Sequence, residues 1–363
     1  MKPIDAVAQV MLENVSKQFG SVRAVDGISI DIAPGHLVTL LGPSGCGKTT
    51  TLRMIAGLEL PTTGRILIAG KDVTLLPPNE RDVSMVFQSY ALFPHMTVLE
   101  NVGYGLAGSG RDRKAQIAKA REGLHLVGLD GYDDRLPSEL SGGQQQRVAC
   151  ARALVLEPQV LLFDEPLSNL DAKLRRRMRE DIRELQLKLG LTSVYVTHDQ
   201  EEALAVSDRI IVMNKGRIAQ AGAPVELYGH PRDSFVADFV GGANLIPCEI
   251  AGRTPDKQVK VRVGTKMLLV PDRGYSGDES LLVLRPASVI LSTQAGSEPS
   301  LTASVRKATY LGSHWELTLD TEVGTVYATQ PVGLRINAGQ TVEIQLKTDQ
   351  LTIVAAHDED VIR

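Results

Sequence analysis

The sequence predicts an α/β domain built on a largely parallel sheet, followed by a small all-β domain. Three observations lead there. Residues 9–240 alternate short apolar strands with helical stretches, the pattern of a parallel sheet covered on both faces. Beyond Gly241-Gly242 helical periodicity is lost, and runs of strand length follow one another between Gly, Pro, Asp and Ser clusters, which suggests a small barrel. A chain of 363 residues is long enough for two such domains, set at 1–242 and 243–363.

In the first half the expected strands are Gln9–Asn14, Ile28–Ile32, Leu37–Leu41, Arg65–Ala69, Val83–Gln88, Val160–Asp164, Ser193–Thr197 and Arg209–Asn214. The expected helices are Lys48–Leu58, Ala115–Val127, Gly142–Leu156, Ala172–Leu189 and Gln200–Val206. Pro77-Pro78 and Pro94 break the pattern, so residues from about 90 to 158 are expected to form a mostly helical lobe. In the second half, strands are expected at Lys257–Val263, Lys266–Val270, Ser280–Leu284, Leu301–Ala308, Trp315–Leu319, Thr325–Thr329, Thr341–Lys347 and Leu351–Ala355.

A hydrophobic share of 43% with 23% charged residues is ordinary for a globular chain, and no apolar run is long enough to cross a bilayer. The net charge of −4 gives no basic footprint for nucleic acid. Met1 to Val15 lacks the apolar core of a signal peptide, so a role at a membrane would be that of a peripheral subunit. Cys46, Cys150 and Cys248 show no metal spacing and are expected to be reduced thiols in the cytoplasm.

Three segments carry chemistry. Gly42-Pro43-Ser44-Gly45-Cys46-Gly47-Lys48-Thr49 fits G-x-x-x-x-G-K-[ST], a phosphate-cradling loop. Its glycines let backbone amides turn onto phosphate oxygens, Lys48 brings a charge to the β and γ phosphates, and Thr49 offers a hydroxyl to Mg²⁺. Thr50 either approaches the α phosphate or serves as a helix cap. Cys46 either fills a loop position or has its thiol pKa lowered by helix-end amides. Val160–Phe163 is an apolar strand ending in Asp164 and Glu165, placed to hold Mg²⁺ and to polarise the attacking water. Ser141, Gly142, Gly143 and Gln144 open a helix and offer a second anion site. Two phosphate sites and one hydrolytic centre in a domain suggest that two copies meet around nucleotide.

Together and in this order, these segments resemble the nucleotide-binding subunits of ATP-binding cassette (ABC) transporters, over nearly the whole chain. The resemblance implies a P-loop NTPase cassette with a parallel sheet and helical lobe, then an OB-like tandem barrel domain of regulatory or dimerisation type. Arg285-Pro286 and Tyr310-Leu311-Gly312 match short elements of that domain. It further implies that His198 contacts the γ-phosphate and that Gln88 touches Mg²⁺ or water and relays to a membrane subunit. Phe19 would stack on adenine, and Ser168-Asn169-Leu170-Asp171 would form a subunit contact. The cofactors implied are ATP and Mg²⁺. Ser141–Gln144 would close on the ATP of the opposite protomer.

An importer ATPase is the expected function; the alternative is a soluble ABC mechanoenzyme of translation or DNA repair. Those usually fuse two cassettes or insert a coiled coil, and this chain has one cassette with room for neither between Gln88 and Ser141. Met85–His95, Leu162–Asp171 and Ala243–Pro247 look like ferric-iron importers, and polyamine and sugar importers share much of this. The partners implied are a second copy, two integral membrane permease subunits and, indirectly, a periplasmic or extracellular substrate-binding protein. The place implied is the cytoplasmic face of a bacterial inner membrane. Apolar Tyr90, Ala91, Leu92, Phe93 and Met96 suggest a docking groove for a permease helix, or else packing of the helical lobe. The arginines at 175, 176, 177 and 179 suggest a solvated helix face with local acid pairs.

Overall fold

The computed structural model describes residues 9–108, 112–275, 277, 280–292, 300–333 and 336–356. Residue contacts divide the chain at Pro224/Val225 into two units. The first contains β1 (Val10–Phe19), β2 (Val22–Ile32), β3 (Leu37–Leu41), α1 (Lys48–Ala56), β4 (Thr63–Ile68), β5 (Lys71–Asp72) and β6 (Val83–Val86). The helical lobe follows as α2 (Val98–Gly103), α3 (Arg113–Leu126) and α4 (Gly142–Leu154). The chain then returns through β7 (Val160–Asp164), α5 (Ala172–Leu189), β8 (Thr192–Thr197), α6 (Gln200–Val206), β9 (Arg209–Asn214) and β10 (Arg217–Gly222).

These strands form two sheets rather than one. The six-stranded sheet runs β10-β9-β3-β8-β7-β6, parallel except for the β9–β10 hairpin. The strands expected at 9–14, 28–32 and 65–69 belong instead to a four-stranded antiparallel sheet, β2-β1-β4-β5. The sequence difference is visible in hindsight. β3, β7 and β8 are buried at every residue, whereas β1 and β2 mix buried and exposed positions as a sheet with one wet face does. The short Gly20-Ser21 turn also permits only an antiparallel return.

The long helix α5 illustrates local coding. Asp171 caps it by accepting from the Leu174 amide at 3.0 Å, Met178, Ile182 and Gln186 form the buried stripe, and left-handed Gly190 ends it. The helical lobe shares one core with the parallel sheet and α5: Val102, Leu124 and Val148 pack in the same cluster as Leu161, Phe163, Tyr195 and Ile182. Among the described residues no helix is long and apolar enough to cross a membrane.

The second unit opens within α7 (Pro224–Gly229), whose first residue closes the first unit, and continues with α8 (Ser234–Phe239). Two five-stranded antiparallel sheets follow. One is built from β11 (Asn244–Thr254), β12 (Gln258–Val263), β13 (Lys266–Pro271) and β14 (Ser280–Leu284); the other begins with β15 (Ile290–Ser292), β16 (Ser300–Tyr310), β17 (His314–Thr321), β18 (Gly324–Pro331) and β19 (Thr341–Gln345). The last strand, β20 (Thr352–Ala355), returns to the first sheet beside β14. Both sheets contribute to one core, for example Val261 and Leu284 from the first and Leu319 and Ile344 from the second. Strands β11 and β15 were not expected from the sequence.

Arg285 explains why α7 and α8 pack with these strands. Its Nη1 donates to the carbonyls of Ala237 and Val240, both at 2.6 Å, and its Nη2 to that of Tyr228 at 2.6 Å. The guanidinium also lies 4.3 Å from the centre of the Tyr228 ring. Burial holds its pKa below the usual arginine value, so the carbonyls carry its solvation. Arg285→Lys cannot reproduce this fork. We expect it to cost about 1.5–3 kcal/mol, read as a lower denaturant midpoint, with ATP binding by the first unit kept. An unchanged midpoint would contradict the clamp.

Candidate functional site

Parallel pairing sets the site. β3 pairs with β8 so that Leu41 lies opposite Thr197, and β7 pairs with β8 so that Asp164 lies opposite Val196. The segments that follow, 42–49, Asp164-Glu165 and His198, therefore emerge side by side at the carboxyl ends of adjacent strands, where open α/β sheets bind ligands.

The phosphate loop is shaped by close approach as well as by backbone freedom. A Cβ on Gly42 would lie 2.3 Å from the Met213 carbonyl oxygen and 2.6 Å from Cys46 Sγ. One on Gly47 would lie 2.5 Å from the Ala24 carbonyl oxygen, and Gly47 is also left-handed at φ 104°. Pro43, Ser44 and Gly45 make the crest of the loop, and Ser44 and Gly45 are exposed. Lys48 is buried and folds back on this loop, with Nζ donating to the carbonyls of Gly42 at 2.7 Å and Pro43 at 2.9 Å. An arriving phosphate competes with two carbonyls for one ammonium. Cys46 is buried too, 3.8 Å from Lys48 Nζ. Burial pushes its thiol up, outweighing the lowering by Lys48, so of the two alternatives Cys46 fits the filling of a loop position and not a lowered thiol pKa.

Thr49 Oγ1 donates to Asp164 Oδ1 at 3.4 Å. Asp164 is buried, and its carboxyl is raised above the usual range, chiefly by burial and against the pull of Arg53. A hydroxyl and a carboxylate short of positive charge form a hard-oxygen donor pair that fits Mg²⁺. Thr50 is half-buried in the first turn of α1.

Glu165 adopts φ 45°, unusual outside glycine. Its amide donates to the Val196 carbonyl at 3.1 Å, and its own carbonyl accepts from the Ser168 hydroxyl at 3.0 Å. Its Oε2 lies 3.1 Å from His198 Nδ1. A carboxylate only accepts, so Nδ1 carries the hydrogen. The two side chains thus meet although 33 positions apart in the chain.

Gln88 sits in an exposed turn after β6, its carbonyl accepting from Asn169 Nδ2 at 3.0 Å, which ties it to the loop following Glu165. Phe19 is 46% exposed at the end of β1, outside the core, with Lys17 Nζ 4.8 Å from its ring centre. Ser141 caps α4 in a reciprocal box with Gln144: the Gln144 amide reaches Ser141 Oγ at 3.4 Å, and the Ser141 amide reaches Gln144 Oε1 at 2.8 Å. Gly142 and Gly143 have a packing reason as well. A Cβ there would lie 3.0 Å from Leu170 and 2.9 Å from Leu174.

The apolar stretch after Gln88 divides. Tyr90 and Leu92 pack the helical lobe, while half-buried Phe93 rests 4.5 Å from the exposed ring of Tyr104. Two residues that sequence reasoning missed hold this stretch. Asn101 accepts from the Phe93 amide at 2.8 Å and donates to the carbonyls of Phe93, Met96 and Thr97 at 3.0–3.1 Å. Arg152 donates to the carbonyls of Ala91 at 2.6 Å and Tyr90 at 2.8 Å. The available signal was an amide, Asn101, set among apolar Val98, Leu99 and Val102; the structure buries it fully.

Asp164 generates a stability prediction. Its folded carboxyl titrates above its unfolded value, so the folded chain holds the proton longer and ionisation at neutral pH destabilises the fold. Asp164→Asn removes that cost. In the absence of nucleotide and metal its Tm should exceed that of wild type at neutral pH, by about 2–4 °C per kcal/mol recovered. The gap should narrow as pH falls through the carboxyl range, where wild-type Asp164 protonates. A lower Tm at neutral pH would refute this.

Comparison with known proteins accords with this geometry. Residues 25–168 match the ABC transporter family and residues 282–354 the TOBE domain. A protein of Agrobacterium fabrum named Fe(3+) ions import ATP-binding protein is 62% identical over 318 residues, 88% of this chain and 89% of that one. One of Brucella abortus with the same name is 58% identical over 346 residues, 95% and 97% of the two chains. An ATP-binding cassette solved as a dimer in a post-hydrolysis state with ADP and Pi is 33% identical, has a TM-score of 0.53, and covers 59% of this chain and 98% of its own. The cbiO1 protein of Clostridium perfringens, part of an ABC transporter complex, is 28% identical, has a TM-score of 0.58, and covers 62% of this chain and 92% of its own. This chain belongs to the ATP-binding subunits of ABC transporters.

Proposed function

We propose that this protein is the ATP-hydrolysing subunit of a Fe(3+) import system. The observation that carries the hydrolytic part is the meeting of loop 42–49, Asp164-Glu165 and His198 at the ends of three paired strands. The substrate follows from the Fe(3+) import name shared by relatives at 49–62% identity. Fe(3+) itself would pass through other subunits.

Phe19, exposed at the end of β1, stacks its ring on adenine. The amides of residues 42–50 and the positive end of α1 receive the phosphates, and Lys48 turns from the Gly42 and Pro43 carbonyls to the β and γ phosphates. Thr49 and Asp164, with Gln88, would hold Mg²⁺, which supplies neutralising charge to the phosphate oxygens. Glu165 takes the proton of the attacking water as its oxygen bonds the γ-phosphorus. The bond from that phosphorus to the β-phosphate oxygen breaks, giving ADP and phosphate. His198 donates to Glu165 through Nδ1 and reaches the γ-phosphate through its other ring nitrogen. The strained φ of Glu165, of a kind that costs about 1–3 kcal/mol, fits a side chain aimed by its surroundings.

Ser141, Gly142, Gly143 and Gln144 close on the ATP of a second copy, so the working unit is a homodimer around two ATP molecules. It sits as a peripheral subunit on the cytoplasmic face of the inner membrane, on two permease subunits served by a substrate-binding protein. The C-terminal strands act as a regulatory or dimerisation domain.

Shared sites are testable in a mixed dimer of one Lys48→Ala protomer and one Ser141→Arg protomer. One interface site then loses both elements and the other keeps both. Vanadate trapping should label the Ser141→Arg protomer, which retains Lys48. Label on the Lys48→Ala protomer would exclude the shared-site arrangement.

The substrate is tested by uptake into vesicles carrying this subunit with its copurifying permease and binding protein. Labelled Fe(3+) should enter in an ATP-dependent manner, while a polyamine and a sugar should not. Uptake of either of those in place of Fe(3+) would overturn the substrate.

A further inference from the structure

Behind His198 lies a polar cluster that the mechanism above does not use. Glu202, in the first turn of α6, is only 3% exposed. Its Oε2 accepts from the Tyr195 hydroxyl at 3.1 Å and the Thr197 hydroxyl at 2.8 Å. Thr197 Oγ1 also accepts from the Asp199 amide at 3.0 Å. Both neighbours of His198 in the chain are therefore tied to this buried carboxylate, and Asp199 Oδ1 accepts from the Glu202 amide at 3.1 Å.

Arg175 reaches the cluster from α5. Its Nη2 donates to the Leu170 carbonyl at 3.1 Å and its Nη1 to Asp199 Oδ2 at 3.2 Å. Its Nε is buried and has no hydrogen-bond partner, and Glu202 Oε1 stops 3.8 Å from it. One guanidinium thus bridges the loop that follows Glu165 and the segment that carries His198. The neighbouring pair Arg176–Glu180, at 3.6 Å on the outer face, is an ordinary surface contact of little energetic weight. Arg175 differs from it, because a buried donor left unpaired is costly and its acceptor stands within a small displacement.

We propose that Arg175, with Glu202, is a positioning residue for hydrolysis. It keeps the His198 ring in register with Glu165, and its Nε closes onto Glu202 Oε1 when His198 engages the phosphate. The proposal rests on the roles given above to His198 and Glu165.

The test compares Arg175→Gln and Arg175→Lys, each alone and combined with His198→Ala, in the full chain. Nucleotide affinity, KM and kcat are measured. Arg175→Gln should bind ATP within about twofold of wild type and lose about tenfold or more in kcat, with part of the loss restored in Arg175→Lys. In the His198→Ala background Arg175→Gln should cause no further loss, because both changes disable the same group. Losses that multiply, or an unchanged kcat, overturn the proposal. Should Arg175→Gln fail to fold, Glu202→Gln is subject to the same criteria. His198→Ala and Glu165→Gln alone report on the underlying site: if they hydrolyse ATP normally, that reading fails, whatever Arg175 does.

Discussion

The parallel register of β3, β7 and β8 is the constraint on which the site depends. These strands are buried along their whole length, so no wet face distinguishes one residue from the next. Contacts at their ends supply part of the alignment. Gly42 passes so close to the Met213 carbonyl that a side chain there would collide, and the Glu165 amide bonds to the Val196 carbonyl. Displacing β7 against β8 by one residue would carry Glu165 away from His198, because side chains alternate between faces.

Features that cost stability gather at this end of the sheet. Asp164 is a buried acid, Lys48 a buried base, and Glu165 has a left-handed backbone. Nearby, polar side chains that bind backbone carbonyls make the scaffold rigid. Arg81 donates to the carbonyls of Met54 at 2.6 Å and Ile55 at 2.9 Å near the end of α1, and to those of Leu76 and Thr74. Arg152 and Asn101 do the same for residues 90–97. Burial lowers the pKa of Arg81 and Arg152, the signature of a charge solvated by protein dipoles instead of water.

The arginine-rich start of α5 shows how position separates residues of one type. Arg176 is exposed and pairs with Glu180, as expected of a solvated face with local acid pairs. Arg175, next to it, turns toward Leu170 and Asp199 and joins two loops of the site. Composition cannot distinguish them, since adjacent helix positions differ by about 100° of rotation. Likewise Tyr90 and Phe93 are three residues apart, yet one is buried in the lobe and the other rests on Tyr104.

The sequence by itself determined the fold class, the phosphate loop and the strand-end pair Asp164-Glu165. Each depends on local chemistry: glycines where backbone must approach phosphate, an apolar strand ending in acids, and caps such as Asp171 that start helices. Only the tertiary structure decided that β1, β2 and β4 leave the parallel sheet, that Cys46 is a buried thiol, that Glu165 touches His198, and that Arg175 and Asn101 hold loops. The physical reason is common to all of these. Strand pairing, burial and side-chain hydrogen bonds are set by residues distant in the chain, and no local pattern records which distant partner a group will meet.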